Sequence, residues 1–242
     1  MNQAGKLIVI DAIDGAGKST AIGAMVDWLA SKGKKSFDLV AFQKEHHRLP
    51  ELEELGDADL LLSAEPTYSW VGAAIREEII KEHTDRTYDG KTAALAFSID
   101  RYILFSRLIL PFLQTKPDAW VIQDRGTISS LAYQPLQDPS VTLDWLLTLD
   151  GNKLELSRPP ELLLLLRLAP EVAMTRLSGR EEKMDGHIFE QATFQERLAA
   201  RYRDPDVLAP YKNAGTEVIE IDASRSKEEV GSACVAQLRS IP

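Results

Sequence analysis

The sequence predicts an α/β protein, built as a three-layer sandwich around a mostly parallel central sheet. Six apolar runs of strand length recur along the 242 residues, and stretches with helical periodicity separate them. The runs are continuously apolar rather than alternating, which is typical of parallel strands covered on both faces. Sheets of this kind bind ligands at the carboxyl ends of their strands. The six predicted strands are Leu7–Ile10, Phe37–Phe42, Leu60–Leu62, Trp120–Ile122, Leu162–Leu168 and Val218–Ile221.

The first predicted strand runs into a glycine-rich turn, Asp14-Gly15-Ala16-Gly17-Lys18-Ser19-Thr20. A strand, such a turn and a following helix predict a phosphate-binding P-loop, because backbone N–H groups and the helix N-terminus attract phosphate. We expect Lys18 to reach the β- and γ-phosphates of a nucleotide and Ser19 to bind Mg²⁺. Ala12 takes the place of the first consensus glycine. The alternative is a chance turn with a solvated lysine. The other loop residues expected to contact the nucleotide are Gly15, Ala16, Gly17 and Thr20.

The residues after this turn have the pattern of an amphipathic helix. Ile22, Met25, Val26 and Leu29 are spaced i, i+3, i+4 and i+7, so they share one face. Gly33 is a typical stop signal, so we expect the helix to end close to it.

The composition narrows the class of protein. A net charge of −9 opposes binding to a nucleic-acid polymer but allows a nucleotide pocket. The single cysteine, Cys234, excludes an internal disulfide and a cysteine-rich zinc site, and we expect it to be a buried thiol. We find no segment that could cross a membrane and no room for a signal peptide before the first strand, so we expect a cytoplasmic protein.

Two stretches interrupt the regular pattern of a predicted single domain, residues 1–242. Gln43–Asp59 is polar and acidic and is predicted to be an inserted, solvated loop. Its adjacent histidines, His46 and His47, do not make a metal site by themselves. Gln134–Pro160 contains four prolines and is predicted to be a long connection with one short helix, Val141–Leu149.

Asp124 and Arg125 follow the fourth predicted strand directly. A carboxylate at the end of a buried strand near a P-loop is suited to organise Mg²⁺, and the neighbouring guanidinium can bind a phosphate with two hydrogen bonds. An Asp–Arg pair on the surface is the alternative interpretation.

Two further groups of residues suggest a second substrate. Phe97 and Arg101 lie four apart in a predicted helix, so a ring and a guanidinium share one face and can stack on a base and hydrogen-bond its edge. A core phenylalanine above a surface arginine is the commoner pattern in proteins. Ser129–Gln134 places hydroxyls, a phenol and an amide just after Asp124 and Arg125.

Taken in order, these motifs resemble those of the thymidylate kinase family. The resemblance implies a P-loop NTPase fold with an arginine-bearing lid, and ATP- and Mg²⁺-dependent phosphorylation of dTMP to dTDP. It also implies small nucleotides as partners and a homodimer. The matching segments are Asp11–Thr20, Glu65-Pro66 with Ile75-Arg76, Phe97–Arg101, Asp124–Gln134, and Ala169–Glu171 followed by a lid at 176–190.

The resemblance also implies roles for individual residues. Asp14 would contact the 3′-hydroxyl of the acceptor nucleotide and help to organise Mg²⁺, Phe97 would stack on thymine, and Tyr133 would pack at the 2′ position of the sugar. The other implied substrate contacts are Arg101, Ser130 and Gln134 to the base, Arg76 and Arg125 to the acceptor phosphate, and Glu65 and Pro66 in the acceptor turn.

The lid is expected to supply a cation during the reaction. Gly15 stands where some family members carry an arginine, so the charge on the transferred phosphoryl group must be met from elsewhere. Arg176 and Arg180 are four apart and share a helical face. We expect Arg176 to bind ATP and Arg180, nearer the polar stretch, to act in catalysis.

Two departures from the family pattern leave alternatives open. Gly126 replaces the usual tyrosine after Asp-Arg, and Thr67-Tyr68-Ser69 replaces a common Gly-Gly. Another deoxynucleoside monophosphate, such as dUMP or a modified pyrimidine, is therefore an alternative substrate. A P-loop nucleotide switch is the alternative from another class, although a switch does not need Phe97, Arg101 and Tyr133 to converge.

Overall fold

A computed structural model describes residues 5–81, 87–178 and 192–241. The strands in these residues are β1 (Lys6–Asp11), β2 (Ser36–Asp38), β3 (Leu60–Ala64), β4 (Trp120–Asp124), β5 (Leu162–Arg167) and β6 (Glu217–Asp222). They form one six-stranded sheet in the order β2-β3-β4-β1-β5-β6, and all neighbouring strands are parallel. The predicted α/β fold class is confirmed.

Helices connect the strands. Two of them continue as π-helical segments, Ile75–Ile80 and Phe105–Ile109, and a 3₁₀ helix spans Leu52–Leu55. No helix in the described part of the chain is long and apolar enough to span a bilayer. The helices are α1 (Lys18–Ser31), α2 (Leu39–His46), α3 (Trp70–Ala74), α4 (Gly90–Leu104), α5 (Leu110–Thr115), α6 (Thr127–Gln137), α7 (Leu143–Thr148), α8 (Asp150–Ser157), α9 (Pro170–Ser178), α10 (Ala192–Arg201), α11 (Pro205–Asn213) and α12 (Lys227–Leu238).

The core lies on both faces of the central strands. Consecutive side chains of β1 and β5 are buried, so helices must cover both faces of the sheet. In α1, Met25 and Leu29 are fully buried, as the spacing predicted. Gly33 has a φ of 84°, which suits a glycine at the end of α1. Cys234 is buried, as expected, and burial raises the pKa of its thiol to about 11.

The second predicted strand is wrong beyond Asp38. The strand β2 has only three residues, and α2 begins at Leu39. The Asp38 carboxylate accepts a hydrogen bond from the Ala41 N–H at 3.0 Å, which caps the helix. An N-cap residue inside the apolar run therefore divides it between a strand and a helix.

The stretch 43–59 is more ordered than the solvated loop that we predicted. It contains the end of α2 and the 3₁₀ helix. Gln43 and Leu55 are buried, so these two residues join the stretch to the body of the protein.

The stretch 134–160 contains more helix than predicted. α6 continues to Gln137, and two helices, α7 and α8, follow where one was expected. Pro135 lies inside α6 and has no N–H to donate to the Leu131 carbonyl. Arg201, in α10, donates to that carbonyl through Nη2 at 3.2 Å, so the helix continues without an unpaired group there.

Candidate active site

The sheet order brings three strand ends together. β4 lies between β3 and β1, and Asp124 is in register with Ala64 on one side and Ile10 on the other. The P-loop after β1, the acceptor turn Glu65-Pro66 after β3 and Arg125 after β4 therefore meet at one edge of the sheet.

The P-loop has the backbone that its glycines predict. Gly15 and Gly17 have φ values of 80° and 96°, in the left-handed region that favours glycine. Ala12 is outside that region, so the backbone does not require a glycine there. Within the described residues, no side chain caps α1 and no acidic residue lies in its first turn, so its N-terminal N–H groups can bind an anion.

A cavity of about 300 Å³ lies at this edge of the sheet. It joins the P-loop to the region that the sequence suggested for a second substrate. Ala16 is outside its lining, as is Arg176. The predicted residues that line it on the P-loop side are Asp14, Gly15, Gly17, Lys18, Ser19, Thr20, Asp124 and Arg125. Those on the acceptor side are Glu65, Pro66, Arg76, Phe97, Arg101, Ser130, Tyr133 and Gln134.

Lys18 and Asp124 face each other on the P-loop side. The Lys18 Nζ is 3.8 Å from the Asp124 Oδ1. That oxygen is buried and accepts no hydrogen bond from the described residues, and the Ser19 hydroxyl lines the same cavity. A carboxylate oxygen and a hydroxyl are hard donors of the kind that Mg²⁺ prefers.

Arg125 is surrounded by acceptors rather than exposed in a surface pair with Asp124. Its Nη1 lies 3.3 Å from the Asp11 Oδ1, 3.1 Å from the Ser129 hydroxyl and 3.3 Å from the Tyr133 hydroxyl. Its Nη2 donates to the Asp14 carboxylate. Burial raises the pKa of Asp11, although the cations of Arg125 and Lys18 lower it. Arg125 also has a φ of 69°, which is rare for a residue with a side chain.

Arg76 is held by backbone carbonyls and by a ring. Its Nε donates to the Thr67 carbonyl at 3.1 Å, and its Nη2 donates to the Pro66 carbonyl. The guanidinium carbon lies 3.6 Å from the centre of the Tyr68 ring. Burial lowers the pKa of Arg76. Among the described residues no carboxylate lies within 4.0 Å of this guanidinium, so it can accept an anionic ligand.

Asp100 supports the turn that holds Arg76. Its two oxygens accept from the Thr67 N–H and the Thr67 hydroxyl, both at 2.7 Å. Burial raises the pKa of this carboxyl, and its hydrogen bonds from Thr67 lower it. In the same turn, the peptide bond between Glu65 and Pro66 is cis.

Arg101 is buried and contacts two carboxyl groups. Its Nη2 lies 2.5 Å from the Glu65 Oε2, and its Nε lies 3.1 Å from the Glu155 Oε2. Nη1 donates to the Asn152 amide oxygen, and Nη2 also reaches the Ser130 hydroxyl at 3.3 Å. Only 1% of Arg101 is exposed, so the alternative of a surface arginine is wrong.

Phe97 and Gln134 both line the acceptor part of the cavity. Phe97 is half-buried and lies outside the hydrophobic core that the described residues form, so it is not the core phenylalanine of the alternative interpretation. Gln134 is buried, and its Oε1 accepts no hydrogen bond from the described residues. A buried acceptor without a partner is costly, so a ligand N–H can satisfy it.

The lid is only partly described. Arg176 lies in α9, and its Nη2 donates to the Ala223 carbonyl at 3.1 Å. Its predicted contact with ATP stays a prediction. Arg180 and the rest of the predicted lid from residue 179 lie outside the described residues.

Sequence reasoning missed several residues that support the site. Two of them carried a signal in the sequence. Asp11 is a carboxylate at the end of β1, and Asp100 is a carboxylate directly before Arg101. Asn152 and Glu155 share a face of α8, but the sequence reasoning did not predict that helix. Tyr202, whose hydroxyl donates to the Asp11 Oδ1 at 2.9 Å, comes from a distant part of the chain.

Comparison with known proteins agrees with this geometry. The family model for thymidylate kinase matches residues 49–233. Among curated proteins, the probable thymidylate kinase of Thermococcus onnurineus is 32% identical over 183 residues, 74% of each chain. The probable thymidylate kinase of Methanoculleus marisnigri is 31% identical over 240 residues, which cover 97% of this chain and 94% of the relative. The thymidylate kinase of Legionella pneumophila is 28% identical over 241 residues, 95% of this chain and 92% of the relative.

The family match and the fold support each other. The family model covers more than half of the chain, and the matches to two of these relatives span almost all of it. The parallel sheet and the P-loop at its edge are those that the resemblance implied. The resemblance is therefore confirmed, and the chain belongs to the thymidylate kinase family of P-loop kinases.

Proposed function

We propose that this protein transfers the γ-phosphoryl group of ATP to dTMP and so forms dTDP and ADP. The observation that carries this proposal is one cavity with a P-loop at one end and an acceptor wall at the other. In the reaction, the bond from the γ-phosphorus to the bridging oxygen of ADP breaks and a bond to a dTMP phosphate oxygen forms. This step needs positioning and cations more than covalent chemistry.

On the donor side, Lys18 neutralises the β- and γ-phosphates, and the backbone of Gly15–Thr20 surrounds them. Ser19 and Asp124 would hold Mg²⁺, which supplies charge neutralisation between the phosphates when bound. The Asp124 Oδ1, which is buried and accepts no hydrogen bond from the described residues, fits this role. Mg²⁺ commonly binds through one or two protein groups together with substrate phosphates.

The acceptor phosphate would lie between Arg76 and Arg125. Arg76 has backbone carbonyls and the Tyr68 ring as its contacts, which leaves its charge available to an anion. Arg125 is bound to Asp14 here, and a phosphate with a greater charge can compete for it. Asp14 would then be released to contact the 3′-hydroxyl of the acceptor.

The base would lie between Phe97 and the amide of Gln134. The unpartnered Gln134 Oε1 requires a donor, which the N3–H of thymine or uracil supplies and cytosine lacks. Ser130 and the part of Arg101 that faces the cavity provide the other contacts to the polar edge of the base. We assign Tyr133 to the 2′ position, since its ring is supported by Phe194, with 5.9 Å between ring centres.

We propose that the whole chain, residues 1–242, is one kinase domain in which 43–59 is an insertion and 176–190 is the lid. Arg180 would meet the charge of the transferred phosphoryl group when the lid closes, and Arg176 would contact ATP. Because its substrates are free nucleotides, we expect it to act in the cytoplasm without binding a nucleic-acid polymer or a membrane.

We also propose a homodimer, which the family resemblance implies. One face of α4 supports it, because Leu95, Ile99 and Tyr102 are 46%, 51% and 46% exposed and lie on neighbouring turns. Light scattering after size exclusion should give twice the chain mass, and Ile99→Glu should give a monomer. A wild-type protein that elutes as a monomer at micromolar concentration would contradict this proposal.

The function is tested by ADP release with ATP, Mg²⁺ and a panel of acceptors. We expect dTMP to be the best substrate, dUMP to be weaker, and dCMP and the ribonucleotide of thymine to be poor. A preference for dUMP or a modified pyrimidine would establish the alternative kinase. ATP hydrolysis that no monophosphate accelerates would favour a nucleotide switch.

A further inference from the structure

Helix α6 begins at a residue that cannot cap it. Gly126 is the N-cap residue and has no side chain, yet the first turn of α6 is buried. The Glu155 Oε2 accepts from the Thr127 N–H at 2.7 Å and from the Thr127 hydroxyl at 2.7 Å. The Tyr211 hydroxyl accepts from the Ile128 N–H at 2.8 Å. Two side chains from other parts of the chain therefore cap α6.

The carboxylate of Glu155 also holds the acceptor wall. The oxygen that caps α6 lies 3.1 Å from the Arg101 Nε, and the other oxygen accepts from the Tyr211 hydroxyl at 2.9 Å. Glu155 is fully buried and does not line the cavity. One carboxylate thus joins the N-terminus of α6 to Arg101 of α4.

Close packing of α8 against α4 brings Glu155 to this position. The Gly151 N–H donates to the Ser98 hydroxyl at 3.0 Å. A Cβ at residue 151 would lie 1.9 Å from the Ser98 carbonyl oxygen, so only glycine allows this approach. Asn152 and Glu155 then both reach the Arg101 guanidinium from α8.

Gly126 leaves the space that the carboxylate occupies. A Cβ at residue 126 would lie 2.9 Å from the Glu155 Oε1 and 3.2 Å from its Oε2. The φ of Gly126 is −177°, extended backbone that any residue adopts. A side chain at residue 126 would therefore require the Glu155 carboxylate to shift, so the absence of a side chain here matters for space and not for conformation.

We propose that Glu155 is a positioning residue for the acceptor nucleotide, and that Gly126 is the residue that lets it act. α6 carries Ser130 and Gln134, and α4 carries Phe97 and Arg101. Because Glu155 contacts both the first turn of α6 and the Arg101 guanidinium of α4, it fixes the distance between these two helices, which form the two sides of the base site. Its charge also favours the positive end of α6. This inference rests on the proposed function for the identity of the acceptor.

The principal test is Glu155→Gln. This change keeps the volume of the side chain and removes the negative charge that contacts both Arg101 and Thr127. We expect KM for dTMP to rise about tenfold, because the change removes the ion pair with Arg101 and weakens the hydrogen bonds from Thr127, which together set the geometry of the base site. We expect KM for ATP to stay within about twofold of the wild-type value, since the P-loop does not contact Glu155.

Glu161→Gln is the matched control. Glu161 also accepts from a backbone N–H, that of Leu7 at 2.6 Å, and pairs with an arginine, Arg158 at 2.9 Å. It lies before β5, at the end of the sheet away from the cavity. We expect a lower Tm in this variant and no change in either KM. If Glu155→Gln behaves in the same way, Glu155 is only structural and the proposal is wrong.

Gly126→Ala is a second, independent test, and it decides the matter if Glu155→Gln does not fold. The added methyl group displaces the carboxylate, so we expect the same selective rise in KM for dTMP. An unchanged KM for dTMP in Gly126→Ala would overturn the proposal. The wild-type rates with the acceptor panel are measured first and test the function. The role of Glu155 is tested by the ratio of the KM of each variant to the KM of the wild type, measured with the best acceptor of that panel.

Discussion

The P-loop half of the cavity takes most of its polar groups from consecutive residues, 14–20, with Asp124 and Arg125 added from the end of β4. The acceptor half takes its polar groups from the segment after β3, from α4 and from α6. In the P-loop the backbone shape depends on Gly15 and Gly17. In the acceptor half, side chains hold one another in place, as Asp100 holds Thr67 and Glu155 holds Arg101. A change in the P-loop should therefore remove one group, and a change in the acceptor half should move several.

The comparison is tested most strongly by Lys18→Ala. This change removes the cation at the transferred phosphoryl group, so we expect kcat to fall by about 10³-fold. Tm should stay near the wild-type value, because the P-loop backbone remains. The measurement is ADP release at saturating dTMP, with Lys212→Ala, an exposed lysine, as the control. Near-normal turnover in Lys18→Ala would contradict the assignment of the donor site.

Arg76→Ala tests the acceptor half. The guanidinium is placed to bind the acceptor phosphate, so we expect KM for dTMP to rise by roughly 100-fold. The affinity for ATP, measured without acceptor, should stay unchanged. Arg76→Lys keeps the charge but loses the paired N–H groups, so we expect an intermediate value. Arg107→Ala is the control, since Arg107 is exposed and pairs with Glu51. Equal losses for ATP and dTMP would show that Arg76 does not distinguish the two halves.

Phe97→Ala sharpens the comparison within the acceptor half. A base stacked on an aromatic ring contributes about 1–3 kcal/mol, so we expect KM for dTMP to rise about tenfold or more. Phe97→Leu keeps apolar volume without the ring face and should have a smaller effect. Isothermal titration with dTMP gives the affinity directly. Identical behaviour of the two variants and the wild type would mean that the ring does not bind the base.

The smallest expected effect is a pH dependence of the stability of the protein, caused by Glu65. Burial, with help from Glu155 and Asp100, raises the pKa of Glu65 to about 8 against the opposing effect of Arg101. Since the pKa is higher in the folded protein, the stability from this carboxyl is fully present below about pH 4.5 and is lost as the pH rises through about 8.

Glu65→Gln has no proton to lose at this position. We expect the Tm of the wild type to fall by about 5 °C more than that of Glu65→Gln between pH 6 and pH 9. Thermal denaturation of both proteins at several pH values measures the difference. Parallel curves would show that Glu65 does not titrate in this range.

Much of the donor half could be predicted from the sequence because its signals are local. The apolar run before the P-loop, the two glycines and the spacing of Met25 and Leu29 all lie within 25 residues. The sheet followed from apolar runs, except where Asp38 caps a helix inside one of them. For the acceptor half, the sequence predicted which residues take part but not how they are arranged, because their arrangement depends on contacts between elements that are distant in the chain.

The acceptor wall shows why the rest could not be predicted. α8 has two apolar residues, Leu154 and Leu156, which are partly buried against the core, and its contacts with α4 come from Gly151, Asn152 and Glu155. Neither a glycine that allows close packing nor a buried carboxylate leaves a periodic signal. The Glu155 carboxylate also occupies the space that a side chain at residue 126 would need.

The bond from Arg201 to the Leu131 carbonyl has a consequence for the order in which the two halves fold. It joins residues 70 positions apart and completes α6 where Pro135 cannot donate. Contacts between distant residues form after local ones, because the intervening chain must first close into a loop. The part of α6 that carries Tyr133 and Gln134 should therefore become protected from hydrogen exchange only once α10 has docked. The P-loop also depends on distant contacts, because β1 pairs with β4 and β5, but it does not need α10, so the site for the acceptor should be the last to be completed.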